Sequence, residues 1–570
     1  MTTTHDDLLA PVDGLVLRKA RGAFFTPPAL ANFVSRWAIR APSDRILEPS
    51  CGEAAFLVAA AMRLDELGAS KEHGSTTLEG IEIHPPSARA AAELVSVTGR
   101  SASIEVADFF TVTAARRFDA VIGNPPYVRY QDHVGAARVA SRQAALRGGV
   151  GLTALASMWA AATVHAAEFL RPGGRMGLVL PAELLSVNYA ADVRRYLMER
   201  FGRVRLVMFT ERVFPDVQEE VVLLLAEDAL AEGGTDHCEL HQVRSVDELS
   251  EEDHSGYGLP HRWRPAHASA KWTPALLSAA ALNEYTPLTD SEHFAILHEW
   301  GDTTLGAVTG RNNYFAISPA RAGELKLKDS ETITLSPPGS RHLRGLSLNT
   351  SALNSMGDEG LQTLLFRPGL KKRQMSAGAQ RYLLQGEHLG VDQAYKCRVR
   401  SPWWQVPINA PADLLLTYMN ADTPRLTTNL ANAVHLNSVH GVYLHPEHKE
   451  PGKSLLPIAS LNTVTLLGAE LVGRSYGGGM LKVEPSEADQ LPLPSPSLVA
   501  HLAPGLREIR RSVRDALKAG DLLGAVRIVD QLVLRDYLRL SEAQHSELVA
   551  AQALMSARRL ARAANPSRTQ

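Results

Sequence analysis

Cysteine is scarce in this chain. Cys51, Cys238 and Cys397 are the three in 570 residues, and no CxxC spacing occurs. That excludes a disulfide framework and a zinc ribbon; the natural reading is a reducing, intracellular, cytoplasmic setting. No run of about 18 apolar residues is present, so no membrane-spanning helix is expected. The opening stretch "MTTTHDDLLAPVDG" has neither a basic start nor an apolar centre and does not read as a signal peptide. An excess of one charge is also missing: the formal net charge is −2, so any surface for nucleic acid has to be a local patch. The dinucleotide fingerprint G-x-G-x-x-G is absent, which argues against a nicotinamide cofactor. "HPEH" (445–448) reads as a solvated turn, and no metal site is expected.

What the chain does have is enough apolar residue, 45%, to build real cores, and a length that suggests about two to four domains. Its first ~225 residues alternate short apolar runs with helical segments: "DRILEPS" (44–50), "TLEGIEI" (77–83), "ASIEVAD" (102–108), "FDAVIG" (118–123), "RMGLVLP" (175–181), "VRLVMF" (204–209) and "EVVLLLA" (220–226) read as strands. Helices fall between them, one over about 154–170 that stops at "RPGG" (171–174). Such alternation predicts an α/β fold, a doubly wound and mostly parallel sheet that binds ligands beyond the strand carboxyl ends. Residues 227–290 are polar and read as a boundary or variable connection. Residues 300–490 are turn-rich with short β-like runs. After "LPLPSPS" (491–497) the chain turns helical to about 563.

Three acidic strand ends follow one another in the first region. "ILEPSCG" (46–52) delivers Glu48 and then Pro49, Ser50 and Gly52, small residues that let backbone pass close to a ligand. "GIEIHP" (80–85) ends a strand on Glu82, a position that commonly accepts from ribose hydroxyls in nucleoside-binding folds. "ADFF" (107–110) places Asp108 where it can read an adenine amino group, with Phe109 either packing on that ring or serving the core. A fourth strand closes on "NPPY", Asn124, Pro125, Pro126 and Tyr127. Proline cannot donate to a ladder, so the strand must stop there.

In this order, "GAFFTPP" (22–28), "ILEPSCG", "GIEIHP", "ADFF" and "NPPY" resemble the class I, S-adenosylmethionine-dependent adenine-N6 DNA methyltransferases of restriction–modification systems, the TaqI-like group. The likeness is strong over residues 18–226. It extends more loosely to "TGRNNYF" (309–315), "YKCRVRSPWW" (395–404), "PRLTTN" (424–429) and "SYGGGMLKVEPSEADQLPLP" (475–494), pieces that recur in the family's target-recognition domains. One departure stands in "GEAAF", where Ala54 replaces a glycine usual in the family. The resemblance implies a methyltransferase domain over 18–260, a target-recognition domain over 290–497 and a helical segment over 498–563. It implies S-adenosylmethionine bound by Thr26, Glu48, Pro49, Ser50, Gly52, Glu82, Asp108, Phe109 and Asn124. The Asn124 carboxamide oxygen and the Pro125 carbonyl would accept the amine hydrogens of a flipped adenine, Tyr127 would stack on its face, and Phe214 of "ERVFP" would form a second wall.

Residues 128–153 carry Arg129, Arg138, Arg142 and Arg147 against one acid, Asp132, which suits a phosphate-gripping loop or a solvated one. Residues 341–400 hold ten Lys or Arg and four Asp or Glu. Lys371, Lys372, Arg373, Arg398 and Arg400 are therefore candidate DNA contacts, with Trp403 and Trp404 following. The expected partners are double-stranded DNA and a separate restriction endonuclease or other defence-system subunit, with no membrane. Little chain precedes the methylase motifs and no PD…ExK array stands out, so no fused endonuclease is expected. N4-cytosine methylation remains open, because that amine poses the same problem, and so does a non-catalytic DNA-specificity subunit. C5-cytosine chemistry needs a Cys after a Pro in the active loop, and none of the three cysteines follows one.

Overall fold

The computed structural model describes residues 26–70, 77–114, 117–209, 213–214, 220–249, 261–265, 267–369 and 371–561. The chain forms two compact units, residues 1–278 and 279–570. In the first, nine strands make one sheet: β1 (Ile46–Pro49), β2 (Leu78–Glu82), β3 (Ser103–Val106), β4 (Phe118–Gly123), β5 (Leu170–Pro181), β6 (Phe201–Phe209), β7 (Val221–Ala229), β8 (Cys238–Val243) and β9 (His261–Trp263). Their order is β3-β2-β1-β4-β5-β7-β6-β8-β9. Only β7 and β9 run antiparallel to the rest. The central strands are continuous apolar runs because both faces are covered; every residue of β1 and of β4 is buried. Helix α1 (Pro28–Ala38) starts on a proline at its first position and packs Leu30, Phe33, Val34 and Trp37 inward. Helices α2 (Ala55–Glu66) and α3 (Pro85–Val97) follow β1 and β2, α4 (Gly135–Arg147) and α5 (Met158–Ala167) lie between β4 and β5, and α6 (Ala191–Arg200) precedes β6. The sheet is the α/β, mostly parallel, doubly wound one that the strand–helix alternation predicts.

Three sequence expectations change. "RPGG" does not stop a helix: α5 ends at Ala167, and 171–174 lie inside β5. The register with β4 jumps there, from Phe118 opposite Leu170 to Ala120 opposite Arg175, so these turn-forming residues make a bulge instead of a cap. The arginine-bearing stretch after NPPY is not a loop but contains α4, of which only Ser141, Ala144 and Ala145 are buried. The polar residues after 226 are not a connection alone, since β8 and β9 extend the sheet.

In the second unit β10 (Gly301–Leu305), β11 (Ser347–Leu348), β12 (Leu414–Thr417), β13 (Leu426–Asn429) and β14 (Val439–Leu444) form a sheet ordered β10-β14-β12-β13-β11. A smaller sheet holds 364–366 between 316–317 and 332–334. The unit's helices include α7 (Ala377–His388), α8 (Lys449–Ala459), α9 (Thr463–Val472), α10 (Ala503–Lys518), α11 (Leu522–Asp530) and α12 (Glu542–Ala561). The C-terminal helices belong to this unit: α10 packs on α8, and α12 packs on α9. Among the described residues no single helix is long and apolar enough to cross a membrane.

Helix α12 is fixed by charge. Arg559 and Glu470 of α9 are both buried and share two hydrogen bonds of 2.9 Å. The same guanidinium donates to the carbonyls of Ala421, Asp422 and Gly479. Breaking a buried pair from one side leaves an uncompensated charge, at about 3–5 kcal/mol. Arg559→Leu is therefore expected to lower the urea midpoint of the second unit and to open the region after Ser541 to protease; an unchanged midpoint contradicts this role.

Candidate active site

The chain runs outward from β1 through β2 to β3, then returns to place β4 on the other side of β1. That reversal opens a crevice at the carboxyl ends of β1 and β4. The two ends touch: a Cβ added to Gly123 would lie 3.6 Å from the Pro49 carbonyl oxygen and 3.8 Å from Glu48 Cγ.

Past β1 the backbone turns left-handed at alternate residues, Ser50 (φ 57°), Gly52 (φ 51°) and Ala54 (φ 60°). For a residue other than glycine this costs about 1–2 kcal/mol, and the two acidic strand ends hold it. The buried Glu48 carboxylate accepts from the Leu57 N–H at 2.9 Å, in the first turn of α2. Glu82 accepts from the Gly52 N–H at 2.8 Å and the His84 N–H at 2.9 Å. Burial, more than the neighbouring Glu82, pushes the Glu48 carboxyl well above the usual carboxylate range. Burial likewise raises the Cys51 thiol, followed by the nearby carboxylates, so it is no nucleophile. Above Gly52 a Cβ would meet no atom of the described residues within 4 Å, so none of them covers the tip of the loop. Ala54 takes the left-handed conformation that glycine adopts without steric cost.

At the end of β4, the Asn124 side-chain N–H donates to Thr26 Oγ1 at 3.3 Å, and Thr26 is itself buried. The Asn124 carboxamide oxygen is buried and has no hydrogen-bond partner among the described residues. Pro125 is buried and Pro126 half-buried. The Tyr127 hydroxyl donates to the Val179 carbonyl of β5 at 3.0 Å, which fixes a half-buried ring. That ring packs against the hydrophobic cluster that contains Phe214, 4% exposed. The Val128 carbonyl accepts from the Met158 N–H at 3.0 Å, tying the segment to the start of α5.

Asp108 is half-buried and accepts from the Phe110 N–H at 3.0 Å, capping a short turn. Phe109 is 4% exposed, its ring 4.6 Å from His165 and 5.6 Å from Phe169. The structure thus packs Phe109 against these two rings. Arg129 and Arg142 are exposed, while Arg138 and Arg147 donate to the carbonyls of Ala154 and Phe110. In the second unit Lys371, Arg373 and Arg398 are exposed. Lys372 pairs with Glu387 at 3.0 Å and lies 5.3 Å over the Trp404 ring. Arg400 is half-buried: it donates to the Thr309 carbonyl, and its guanidinium sits 5.7 Å over Phe315. Its surroundings are those of a packing arginine.

Sequence reasoning missed a cluster at the end of β5. Glu183 accepts from the Tyr189 hydroxyl at 2.6 Å and from the Trp159 indole at 3.3 Å. An acid two residues past the strand "RMGLVLP" (175–181) is close to the signal that marked Glu48 and Glu82, and it could have been read.

Two family models match: N-6 DNA Methylase over residues 15–237, and the C-terminal domain of the Type II methyltransferase M.Eco57I over 269–534. Among curated relatives, Type II methyltransferase M.XamI of Xanthomonas campestris pv. amaranthicola is 27% identical, covering 83% of this chain and 85% of its own length. Type II methyltransferase M.AccI of Acinetobacter calcoaceticus is 21% identical over the same shares. The solved structure of the Type IIL restriction–modification enzyme MmeI in complex with DNA is 12% identical, with a TM-score of 0.50 over 93% of this chain and 75% of that one; it speaks for the fold alone. Residues 15–237 thus form an N-6 DNA methylase domain and 269–534 an M.Eco57I-type C-terminal domain, and the chain is a DNA methyltransferase of the restriction–modification type.

Proposed function

We propose that this enzyme methylates the N6 amine of an adenine extruded from duplex DNA, using S-adenosylmethionine, within a restriction–modification or related phage-defence system. The reading rests on one observation above others: the buried Asn124 carboxamide oxygen without a partner among the described residues, beside Pro125 at the end of β4. A buried acceptor left unpaired costs about 1–3 kcal/mol, and such groups in native proteins call for an explanation. An exocyclic amine with two N–H groups is a donor of the right kind. With one hydrogen accepted by Asn124 and the other by the Pro125 carbonyl, the nitrogen is drawn towards tetrahedral geometry and its lone pair leaves the ring. Tyr127 stacks on the purine, and its hydroxyl, spent on Val179, keeps the ring's angle. Phe214 is the second wall. The amine proton departs after transfer, so no strong base is required. A base inside a duplex cannot reach this pocket, hence the extrusion.

The crevice residues fit the cofactor. None of the described residues would crowd a ligand at Gly52, and the Glu82 and Asp108 carboxylates retain acceptor capacity beyond the N–H groups they already bind. Thr26, Glu48, Pro49 and Ser50 shape the floor of that site. When bound there, S-adenosylmethionine supplies an electrophilic methyl carbon. Residues 290–497 serve target recognition in this proposal, 498–563 brace them, and a separate endonuclease cuts unmodified DNA. Arg129, Arg142, Lys371, Arg373 and Arg398 face phosphates.

Asn124→Ala is expected to lower kcat by about 100-fold or more and to leave cofactor affinity nearly intact by calorimetry. Lost cofactor binding would assign Asn124 to the wrong partner. Tyr127→Ala should reduce the 2-aminopurine signal of an extruded base, whereas Tyr127→Phe keeps that signal and costs about 1 kcal/mol of stability; equal signals from both variants would remove the stacking role. Neutralising Lys371 and Arg373 together should weaken DNA binding and reduce the slope of log K against log salt by about 2. An unchanged slope takes the patch out of the interface.

A further inference from the structure

The second unit holds a cleft of about 860 Å³ between the turn at 309–315 and α7. Its frame is locked. The Tyr314 hydroxyl donates to the Tyr382 carbonyl at 2.9 Å, the Tyr382 hydroxyl returns the bond to the Tyr314 carbonyl at 2.8 Å, and the two rings stack at 4.5 Å and 8°. Thr309 Oγ1 donates to Asn312 Oδ1 at 2.6 Å. Gly310, at φ 87°, presses the turn onto the helix 395–398: a Cβ there would lie 3.1 Å from Lys396 Cβ and 3.2 Å from Cys397 Sγ. The segment at Asn437 is held by its N–H to the Ala307 carbonyl at 3.1 Å.

The side chains on the lining contrast with that frame. Arg311, Asn313 and Gln385 are exposed and Asn437 half-buried, and none has a side-chain hydrogen bond or ion pair among the described residues. Arg321, also on the wall, is engaged by Glu324 at 2.7 Å. A rigid cradle whose free groups are one guanidinium and three carboxamides is poorly suited to phosphate, which calls for charge. It suits the edges of bases: guanidinium pairs with guanine O6 and N7, and carboxamides pair with adenine N6 and N7. The cationic patch that would hold phosphates borders the same helix, where Lys372 pairs with Glu387 of α7.

We propose that this cleft reads base edges of duplex DNA and that Arg311, Asn313, Gln385 and Asn437 determine sequence specificity. The inference rests on the DNA-methylating function proposed above. The test uses the full-length chain. Modification-sensitive sequencing of DNA from cells expressing it defines the target, and methyl transfer is then measured on that duplex and on each single-base variant of it. Asn313→Ala and Gln385→Ala are expected to lower kcat/KM on the target by about 10- to 100-fold and to flatten the preference at one position each. Salt slope and cofactor affinity stay as in the wild type, and Arg321→Ala changes nothing. If the alanine variants melt early, Asn313→Asp and Gln385→Glu, which exchange a donor for an acceptor, carry the same expectation. Equal losses on every duplex with a shallower salt slope, or an unaltered position profile, overturn the inference while the methylation reading stands. A wild type that methylates no duplex overturns both.

Discussion

Pro125 and Pro126 deprive β4 of ladder donors, so the strand must end at Gly123 and release Asn124 from the sheet. Much of the first unit serves to keep that released segment still. Thr26 holds the amide nitrogen of Asn124, Val179 holds the Tyr127 hydroxyl, and Met158 donates to the carbonyl just beyond. These three tethers come from the approach to α1, from β5 and from the start of α5. The carboxamide oxygen is left without a partner among the described residues. In the proposed reaction that deficit is the means of catalysis, because a fixed acceptor needs no reorganisation when the amine arrives.

The other half of the crevice depends on two carboxylates that work inward. Glu48 and Glu82 reach across from neighbouring strands to Leu57 and Gly52, and so hold a loop whose left-handed turns at Ser50 and Ala54 are costly. The acids that look from sequence like ligand contacts are first of all braces. Glu82 binds two backbone N–H groups, and a carboxylate has acceptor capacity beyond two bonds, so bracing and binding are compatible in one residue.

The central sheet was legible because buried parallel strands are continuous apolar runs closed by small or acidic residues, as in "ILEPS" and "FDAVIG". The candidate site stands out in the sequence for the same reason: its proposed residues sit at those closures. Helix α4 was not, since "GAARVASRQAALR" has no apolar stripe and buries little. "RPGG" misled because the same residues that end a helix also make a bulge when the partner strand changes register. Arg400 could not be told from its exposed neighbours, because its burial depends on Thr309 and Phe315, nearly a hundred residues away. Long-range packing of that kind leaves no local mark.

The central claim is that the pocket at Asn124 readies an adenine amine for methylation. Its most direct test is mass spectrometry of nucleosides from duplex DNA incubated with the purified full-length chain and isotopically labelled S-adenosylmethionine. The account predicts label in N6-methyldeoxyadenosine and in no other nucleoside. Label in N4-methyldeoxycytidine, or in no nucleoside at all, contradicts it.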